Sequence, residues 1–341
     1  MEYFSKIEKS LARLYKKWSG KISHSIIPLP NSGSGRMYYR IFEQRESVIG
    51  VYNHNKSENE AFFHFTEQFL KNRINVPQIF QVSENKHFYL ISDLGNTTLF
   101  DRIKNENNIF NDDLILFYKR VIQELIRMQV IAGKNFDYSH AFPFKEFNKE
   151  AILFDLNYFR EKFLDSLNIK YNDLKLRKDF NTLANEALMS NSEYFMFRDF
   201  QSRNIMIFEN EPYFIDYQGG RKGPLSYDLV SLLYQAKAQM TENIRELLMN
   251  YYMDTAQLFV PLNKNEFKKD YNTFALIRVL QTLGAYGLRG IIEHKKHFIE
   301  SIPYAVNNLM LINQKAEIIK KVPELKEIIE RIFLLEFDYN E

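Results

Sequence analysis

Residues 195–218 read FMFRDFQSRNIMIFENEPYFIDYQ, and the order of apolar and polar residues predicts a strand, a polar loop, a second strand and a returning strand. Asp199 and Asn204 lie at opposite ends of the polar loop, and Asp216 lies at the end of the returning strand. Apolar strands on either side bury their backbones and hold the loop rigid. Because paired strands bring their ends together, we expect these three oxygen-bearing side chains to meet at one end of a small sheet.

This set of side chains has the composition that phosphoryl transfer requires. Mg²⁺ prefers oxygen ligands, so one Asp and one Asn can hold it beside nucleotide phosphates. A separate carboxylate must accept the proton of the attacking hydroxyl, and kinases place that Asp at the same spacing before the metal-binding Asn. Asp199 is the only Asp of the chain with Asn at the fifth following position. The alternative is a loop whose Asp and Asn side chains hydrogen-bond their own backbone.

Length and composition narrow the class of protein. The 341 residues favour two domains or lobes. The 45 Lys and Arg residues nearly balance the 43 Asp and Glu residues, so the net charge of +2 indicates neither nucleic acid nor membrane as a partner. The absence of Cys excludes disulfides, thiolate metal sites and a Cys nucleophile. Neither an apolar run of roughly 20 residues nor a signal-peptide pattern is present. We therefore expect a cytoplasmic protein with a small-molecule substrate; no pattern indicates an oligomeric state.

The sequence changes character near Gly95. Before it, short strands alternate with turns, and Ser57 with Glu60 forms a capping-box pattern at the start of a helix. After it, apolar residues recur at helical spacing almost to the end of the chain. We therefore predict a bilobal α+β fold. A small β-rich, nucleotide-binding N-lobe would span residues 1–94, and a large helical, catalytic and substrate-binding C-lobe would span residues 95–341.

The central motif and the sequence around it resemble the aminoglycoside phosphotransferase superfamily. The resemblance is carried by RDFQSRNIM at residues 198–206, FIDYQ at residues 214–218 and GPLSYDLVSLL at residues 223–233. The QSR sequence inside the loop and the YQ that follows Asp216 are most similar to the bacterial anomeric N-acetylmuramate/N-acetylglucosamine kinases.

The resemblance implies a protein-kinase-like bilobal fold that uses ATP and Mg²⁺. It implies that Asp199 is the catalytic base and that Asn204 and Asp216 are metal ligands. Arg198 would support the catalytic loop. Asp228, in the first turn of the helix that follows, would brace the loop without touching substrate.

The predicted N-lobe contains candidate nucleotide-binding residues. The loop Gly33-Ser34-Gly35 could bring backbone N–H groups to the ATP phosphates, with an ordinary turn as the alternative. Backbone groups of Ser92 and Leu94, in the connector between the lobes, could contact adenine.

The third strand departs from the kinase pattern. Kinases carry a Lys there, paired with a helix Glu, that holds the nucleotide phosphates. Residues 47–53 read SVIGVYN and contain no Lys. Lys56 follows this strand and Glu60 is the candidate helix partner, while Arg36 or Arg40 on the second strand could substitute for the lysine. A solvated Lys56 and a purely capping Glu60 are the alternatives.

Four polar residues near the central motif are candidates for substrate contacts. Gln201 and Gln218 could hydrogen-bond sugar hydroxyls or an acetamido group. Arg203 and Arg221 place positive charge near the motif, which suits an anionic or neutral sugar better than a polycationic aminoglycoside. The alternative for Arg221 is a solvated basic turn.

Together these features predict an ATP-dependent kinase that phosphorylates a sugar hydroxyl, with C1 of an N-acetylated amino sugar as the expected acceptor. An aminoglycoside or choline-like alcohol kinase of the same fold is an alternative. A pseudokinase that binds nucleotide without transferring phosphate is another, because the strand Lys is missing and Phe197 replaces the His that the family has at this position.

Overall fold

The computed structural model describes residues 5–30, 35–44 and 46–335. An antiparallel five-stranded sheet forms the N-terminal part, and a mainly helical part follows, which confirms the predicted α+β class. The strands of the sheet are β1 (Ser25–Pro28), β2 (Met37–Glu43), β3 (Glu46–Tyr52), β4 (Ile79–Val82) and β5 (Phe88–Ser92). Their order across the sheet is β1-β2-β3-β5-β4, so β2 and β3 are neighbours, as are β4 and β5, which fits the expected alternation of short strands and turns.

Two helices cover the two faces of this sheet. Helix α1 (Lys6–Ser19) buries Leu11 and Tyr15 in a small core shared with Ile41 and Leu90. Helix α2 (Lys56–Lys71) buries its aromatic side chains on the opposite face, in the main core of the protein.

Helix α2 begins earlier than the capping-box pattern predicted. The side chain of Asn55 accepts a hydrogen bond from the backbone N–H of Glu58, so Asn55 is the N-cap and Ser57 lies inside the helix. Asn is as good a cap as Ser, and the first turn is therefore shifted by two residues. This shift places Glu58 at the third helical position, where its acidic side chain also suits the helix dipole.

The C-terminal part is built around helix α9, which packs against α5, α7 and α11. No helix among the described residues is long and apolar enough to cross a membrane. The helices are α3 (Leu99–Asn105), α4 (Asp112–Ile126), α5 (Lys149–Phe159), α6 (Asp173–Ala187), α7 (Leu225–Leu233), α8 (Glu242–Ala256), α9 (Lys264–Tyr286), α10 (Lys296–Ile299), α11 (Ile302–Lys315) and α12 (Pro323–Phe333).

The central motif lies on two separate strand pairs, where the sequence predicted one small sheet. β6 (Tyr194–Met196) pairs with β9 (Arg221–Gly223), and β7 (Ile205–Phe208) pairs with β8 (Glu211–Phe214). The catalytic loop, residues 197–204, crosses from the first pair to the second. The expected convergence at one end is nevertheless present, because both pairs place their polar ends at the same cavity.

Candidate active site

Asp199 lies at the wall of this cavity, where the loop after β6 meets α9. Its side chain is 47% exposed, and its Oδ1 accepts a hydrogen bond from Nη2 of Arg278 at 2.8 Å. Burial opposes ionisation of this carboxyl, but Arg278 and Arg198 outweigh burial and hold the pKa of Asp199 below its usual range. The carboxylate is therefore ionised at neutral pH and able to accept a proton.

Two buried aspartates hold the loop that carries Asp199. Asp228 of α7 accepts hydrogen bonds from the backbone N–H groups of Phe197 at 2.7 Å and Arg198 at 2.9 Å, which confirms the expected brace. Asp155 of α5 binds both terminal nitrogens of Arg198, at 2.9 and 2.6 Å. Arg198 has a φ of 83°, in the left-handed region, and these contacts stabilise that conformation. Its guanidinium points to Asp155, so Arg198 is in position to support the loop and does not line the cavity.

Asn204 and Asp216 lie beside Asp199 at the same cavity. Nδ2 of Asn204 donates to the backbone carbonyl oxygen of Asp199 at 2.9 Å, which turns the amide oxygen away from the loop. Asp216 has a φ of 69°, and its Oδ1 accepts hydrogen bonds from Arg36 at 3.1 Å and from Gln218 at 2.6 Å. Burial raises the pKa of Asp216 above its usual range, against the opposing charge of Arg36.

The oxygen donors of Asn204 and Asp216 fit a magnesium ion shared with a nucleotide. Mg²⁺ keeps several waters and takes one or two carboxylates together with phosphate oxygens. Within the described ranges, no group of three or more His, Asp or Glu residues forms an all-protein metal site. The donor set therefore suits a metal that arrives with its phosphates.

The cavity has a volume of about 380 Å³, within the usual range for a small-molecule site. Polar and aromatic side chains from the catalytic loop, the segment after β8, α7, α9 and the residues that follow these helices line its wall together with apolar ones. The polar side chains and the tyrosines are Asp199, Gln201, Arg203, Asn204, Asp216, Ser231, Tyr234, Gln235, Arg278, Gln281, Thr282, Tyr286 and Arg289. Two of the four expected substrate residues, Gln201 and Arg203, are thus brought to the cavity.

The other two expected substrate residues do not line it. Gln218 is bound to the carboxylate of Asp216. Arg221 is 4% exposed, donates to the carbonyl oxygen of Gly219 and lies over the ring of Phe144. The expected substrate contact of Arg221 is therefore corrected: the guanidinium is buried by its own turn and by an aromatic neighbour. A solvated basic turn is equally wrong for Arg221.

The expected phosphate-holding pair of Lys56 and Glu60 is also corrected. Lys56 is exposed at the first position of α2, and Glu60 forms an ion pair with Lys86 at 2.8 Å. The acid of α2 that points toward the site is Glu58, which binds Arg36 at 3.1 Å. Asn55 caps α2 and thereby sets which residues of the helix face the site. In this register Glu58, and not Glu60, points toward it.

The remaining nucleotide candidates lie in the first loop and in the connector. Gly33 and Ser34 fall outside the described residues, and Gly35 directly precedes Arg36. The backbone N–H of Ser92 donates to Gln78 inside the sheet at 3.0 Å, so it is not available to adenine. The contact of Leu94 with adenine stays a prediction.

The connector itself is firmly held. The carboxylate of Asp93 accepts hydrogen bonds from Arg40 at 2.5 and 2.9 Å, from Ser47 at 2.7 Å and from the backbone N–H of Gly95 at 2.9 Å. Asp93 therefore caps the Gly95 turn.

The sequence reasoning missed several residues of the site, among them Asp155, Glu58 and Arg278. Arg278 had a signal, since it interrupts an apolar helical run from Phe274 to Leu280. The side chain of this arginine is 5% exposed and needs an acidic partner, which Asp199 supplies. Asp155 had a similar signal in the apolar stripe of α5.

The sequence of this chain matches one family model and several named relatives. The model of the phosphotransferase enzyme family (APH) matches residues 25–258. The N-acetylmuramate/N-acetylglucosamine kinase of Neisseria meningitidis serogroup B is 27% identical over 256 residues, which cover 73% of this chain and 73% of that protein. The N-acetylmuramate/N-acetylglucosamine kinase of Pseudomonas putida is 22% identical over 327 residues, which cover 92% of this chain and 89% of that protein.

Solved structures with a similar fold include small-molecule kinases. Choline kinase from Cryptosporidium parvum superposes with a TM-score of 0.61 at 15% identity, covering 96% of this chain and 97% of that one. The amicoumacin kinase hAmiN, solved with AMP-PNP and Ca²⁺, superposes with a TM-score of 0.58 at 11% identity, covering 92% of this chain and 90% of that one. At these identities the likeness is one of fold.

Proposed function

This chain belongs to the phosphotransferase enzyme family, and we propose that it transfers the γ-phosphoryl group of ATP to the C1 hydroxyl of an N-acetylated amino sugar. The observation that carries the proposal is an ionised Asp199 at the wall of a cavity of about 380 Å³. Amide and hydroxyl side chains line that cavity, and such groups suit the hydroxyl and acetamido groups of a sugar. Relatives named as N-acetylmuramate/N-acetylglucosamine kinases support this class of acceptor.

In the proposed reaction Asp199 accepts the proton of the acceptor hydroxyl. The hydroxyl oxygen forms a bond to the γ-phosphorus, and the bond between that phosphorus and the β,γ-bridging oxygen breaks, so ADP leaves. Asn204 and Asp216 would hold Mg²⁺, which neutralises phosphate charge when it is bound. Arg278 keeps Asp199 ionised and fixes its orientation through the 2.8 Å contact. Arg198, Asp155 and Asp228 position the loop.

The charges around the cavity favour an acceptor that is neutral or anionic. Three arginines line it, Arg203, Arg278 and Arg289, against two aspartates. Arg203 is exposed at this wall, so it keeps the substrate role expected of it and is the candidate partner of a sugar carboxylate.

The same charges argue against the alternative acceptors of this fold. Arg278 pairs with Asp199 and Arg289 with Glu293, so the exposed Arg203 is the charge that disfavours choline, with its permanent positive charge, and aminoglycosides, which carry several. An N-acetylated hexosamine has no such charge, and an N-acetylated muramate carries a carboxylate.

A coupled ADP-release assay with Mg²⁺ and a panel of N-acetylhexosamines, aminoglycosides and choline tests the proposal. We expect turnover with N-acetylglucosamine or N-acetylmuramate, and phosphorus NMR of the product should place the phosphate on C1. The D199N variant should lose about 10²- to 10⁴-fold in turnover while it still binds ATP.

Two outcomes would refute the proposal. Turnover confined to aminoglycosides or choline would assign a different acceptor, and unchanged turnover in D199N would remove Asp199 from the chemistry. ATP binding without turnover on any member of the panel would favour the pseudokinase alternative.

A further inference from the structure

We propose that Arg36 is the cation that holds the nucleotide phosphates in this chain, in place of the lysine that β3 lacks. This inference rests on the proposed function, since it assigns a residue to the nucleotide half of the same site. It also weakens the main reason for considering a pseudokinase, which was the missing strand lysine.

A residue that holds the nucleotide phosphates must connect the acid of α2 with the candidate metal ligand, and Arg36 contacts both. Its side chain is 2% exposed and lies between α2 and the segment that follows β8. Nη2 binds Oε2 of Glu58 on α2 at 3.1 Å, and Nη1 binds Oδ1 of Asp216 at 3.1 Å. One guanidinium thus links the acid of the small-sheet part to the candidate metal ligand of the helical part.

Glu58 is itself held in place for this contact. Nδ2 of Asn53, the residue that follows β3, donates to Oε2 of Glu58 at 3.1 Å. The same nitrogen donates to Oδ1 of Asn59 at 3.1 Å, so Asn53 is fixed from both sides. A lysine on β3 would reach the helix acid from the strand. Here an amide orients that acid, and the cation comes from the start of β2.

The other cations of the small-sheet part do not meet these conditions. Arg40 uses Nε and Nη2 on Asp93 and Nη1 on Asn96, so its guanidinium lies at the connector and away from the candidate metal ligands. Lys56 is exposed at the start of α2. The sequence left Arg36, Arg40 and Lys56 as alternatives, and the contacts of the three side chains favour Arg36.

The local charges suit a magnesium ion together with the phosphates bound to it. Arg36 carries one positive charge and touches two carboxylates, so the cluster has a net negative charge that favours a bound divalent cation. Phosphate oxygens that share Mg²⁺ with Asp216 would lie next to the Arg36 guanidinium.

The test compares ATP with adenosine, which lacks the phosphates. Dissociation constants are measured by competition against a fluorescent ATP analogue, with Mg²⁺, for wild type, R36M, R36K, R40M and K56M. We expect R36M to weaken ATP binding about 10- to 100-fold, the loss of a charge-assisted contact, and to leave adenosine binding within about twofold of wild type. R36K, which keeps the charge and loses the guanidinium, should lie between R36M and wild type.

R40M is the matched control, because it removes a guanidinium from the same strand at the connector. It should change ATP and adenosine binding by the same factor. Arg40 lies at the connector, so its loss would affect the adenosine moiety that both ligands share. Three outcomes would each overturn the assignment. R36M could lose equal affinity for ATP and for adenosine, R40M or K56M could lose affinity for ATP alone, or R36M could keep full turnover. A wild type that binds ATP and phosphorylates nothing would contradict the proposed function, and the binding comparison would still decide the role of Arg36.

Discussion

At the scale of single residues, Arg278 sets the pH range over which Asp199 can act as a base. Arg278 is the largest charge that lowers the pKa of Asp199 against the effect of burial. Removing this charge in R278Q should therefore raise the pKa of Asp199. A base works only when it has lost its proton, so the acid limb of the kcat/KM profile should move to higher pH. The variant should lose activity first as the pH falls from neutral, and a pH profile measures this.

R278K is the control for that experiment. It keeps a positive charge near Asp199 and should leave the acid limb closer to that of the wild type. An acid limb that stays in place in R278Q would mean that another group controls it. The basic limb should not move in either variant, because Arg278 remains charged throughout the accessible range.

The residues show which part of a site can be predicted from sequence. Asp199, Asn204 and Asp216 are close in the chain, so strand pairing alone brings them together. Arg278 and Glu58 are far from Asp199 in sequence, and no spacing encodes a contact that forms only when helices pack. The misplaced substrate role of Arg221 has the same origin, since its burial depends on Phe144 from a distant segment.

At the scale of elements, α9 reaches the cavity through a close helix contact. After Tyr286 the helix continues as a π-helical turn, Gly287–Ile292, which carries Arg289 to the cavity wall. This turn packs on a second π-helical turn, Arg160–Leu164, that extends α5. A Cβ atom at Gly287 would collide with the backbone carbonyl oxygen of Lys162. The glycine is therefore required for the approach of the two backbones.

The G287A variant should push these two turns apart. We expect a loss of about 1–3 kcal/mol in the free energy of unfolding, the usual cost of overpacking, measured by urea titration. Because the displaced turn carries Arg289, the KM for the sugar should rise more than the KM for ATP.

G219A is a suitable control for stability, because a Cβ at Gly219 would meet nothing within 4 Å. Its unfolding free energy should stay within about 0.5 kcal/mol of the wild type. A G287A variant as stable as G219A would show that the contact can relax without cost.

Element types were easier to predict than element boundaries. The hairpins and the helical part follow from apolar periodicity, which the strands and helices keep in the folded protein. The start of α2 depends on whether Asn55 or Ser57 caps the helix, and both are good caps. That choice of two residues decides whether Glu58 or Glu60 faces the site. The proposed boundary between the N-lobe and the C-lobe, between residues 94 and 95, stays a prediction.

At the scale of the whole molecule, the small-sheet part and the helical part share one core. Along β5, Tyr89 and Ile91 belong to the main core, whereas Leu90 belongs to the small core under α1. The alternation of side chains along a strand therefore ties α1 to the main core through the sheet. From α2, the hydroxyl of Thr66 lies 2.5 Å from that of Tyr217 in the helical part, and the ring of Phe62 stacks on Tyr217.

This shared core predicts that the two parts unfold together. Trp18 is the only Trp of the chain and stacks on Phe80 beside the sheet, so its fluorescence reports on the N-terminal part. Far-ultraviolet circular dichroism reports mainly on the helices of the C-terminal part. In a urea titration the two signals should have the same midpoint. The Y217F variant removes the buried contact with Thr66, which should lower the free energy of unfolding by about 1–2 kcal/mol. Both midpoints should then move to the same lower urea concentration. An earlier Trp18 transition, or a Y217F effect on one signal alone, would show two parts that unfold independently.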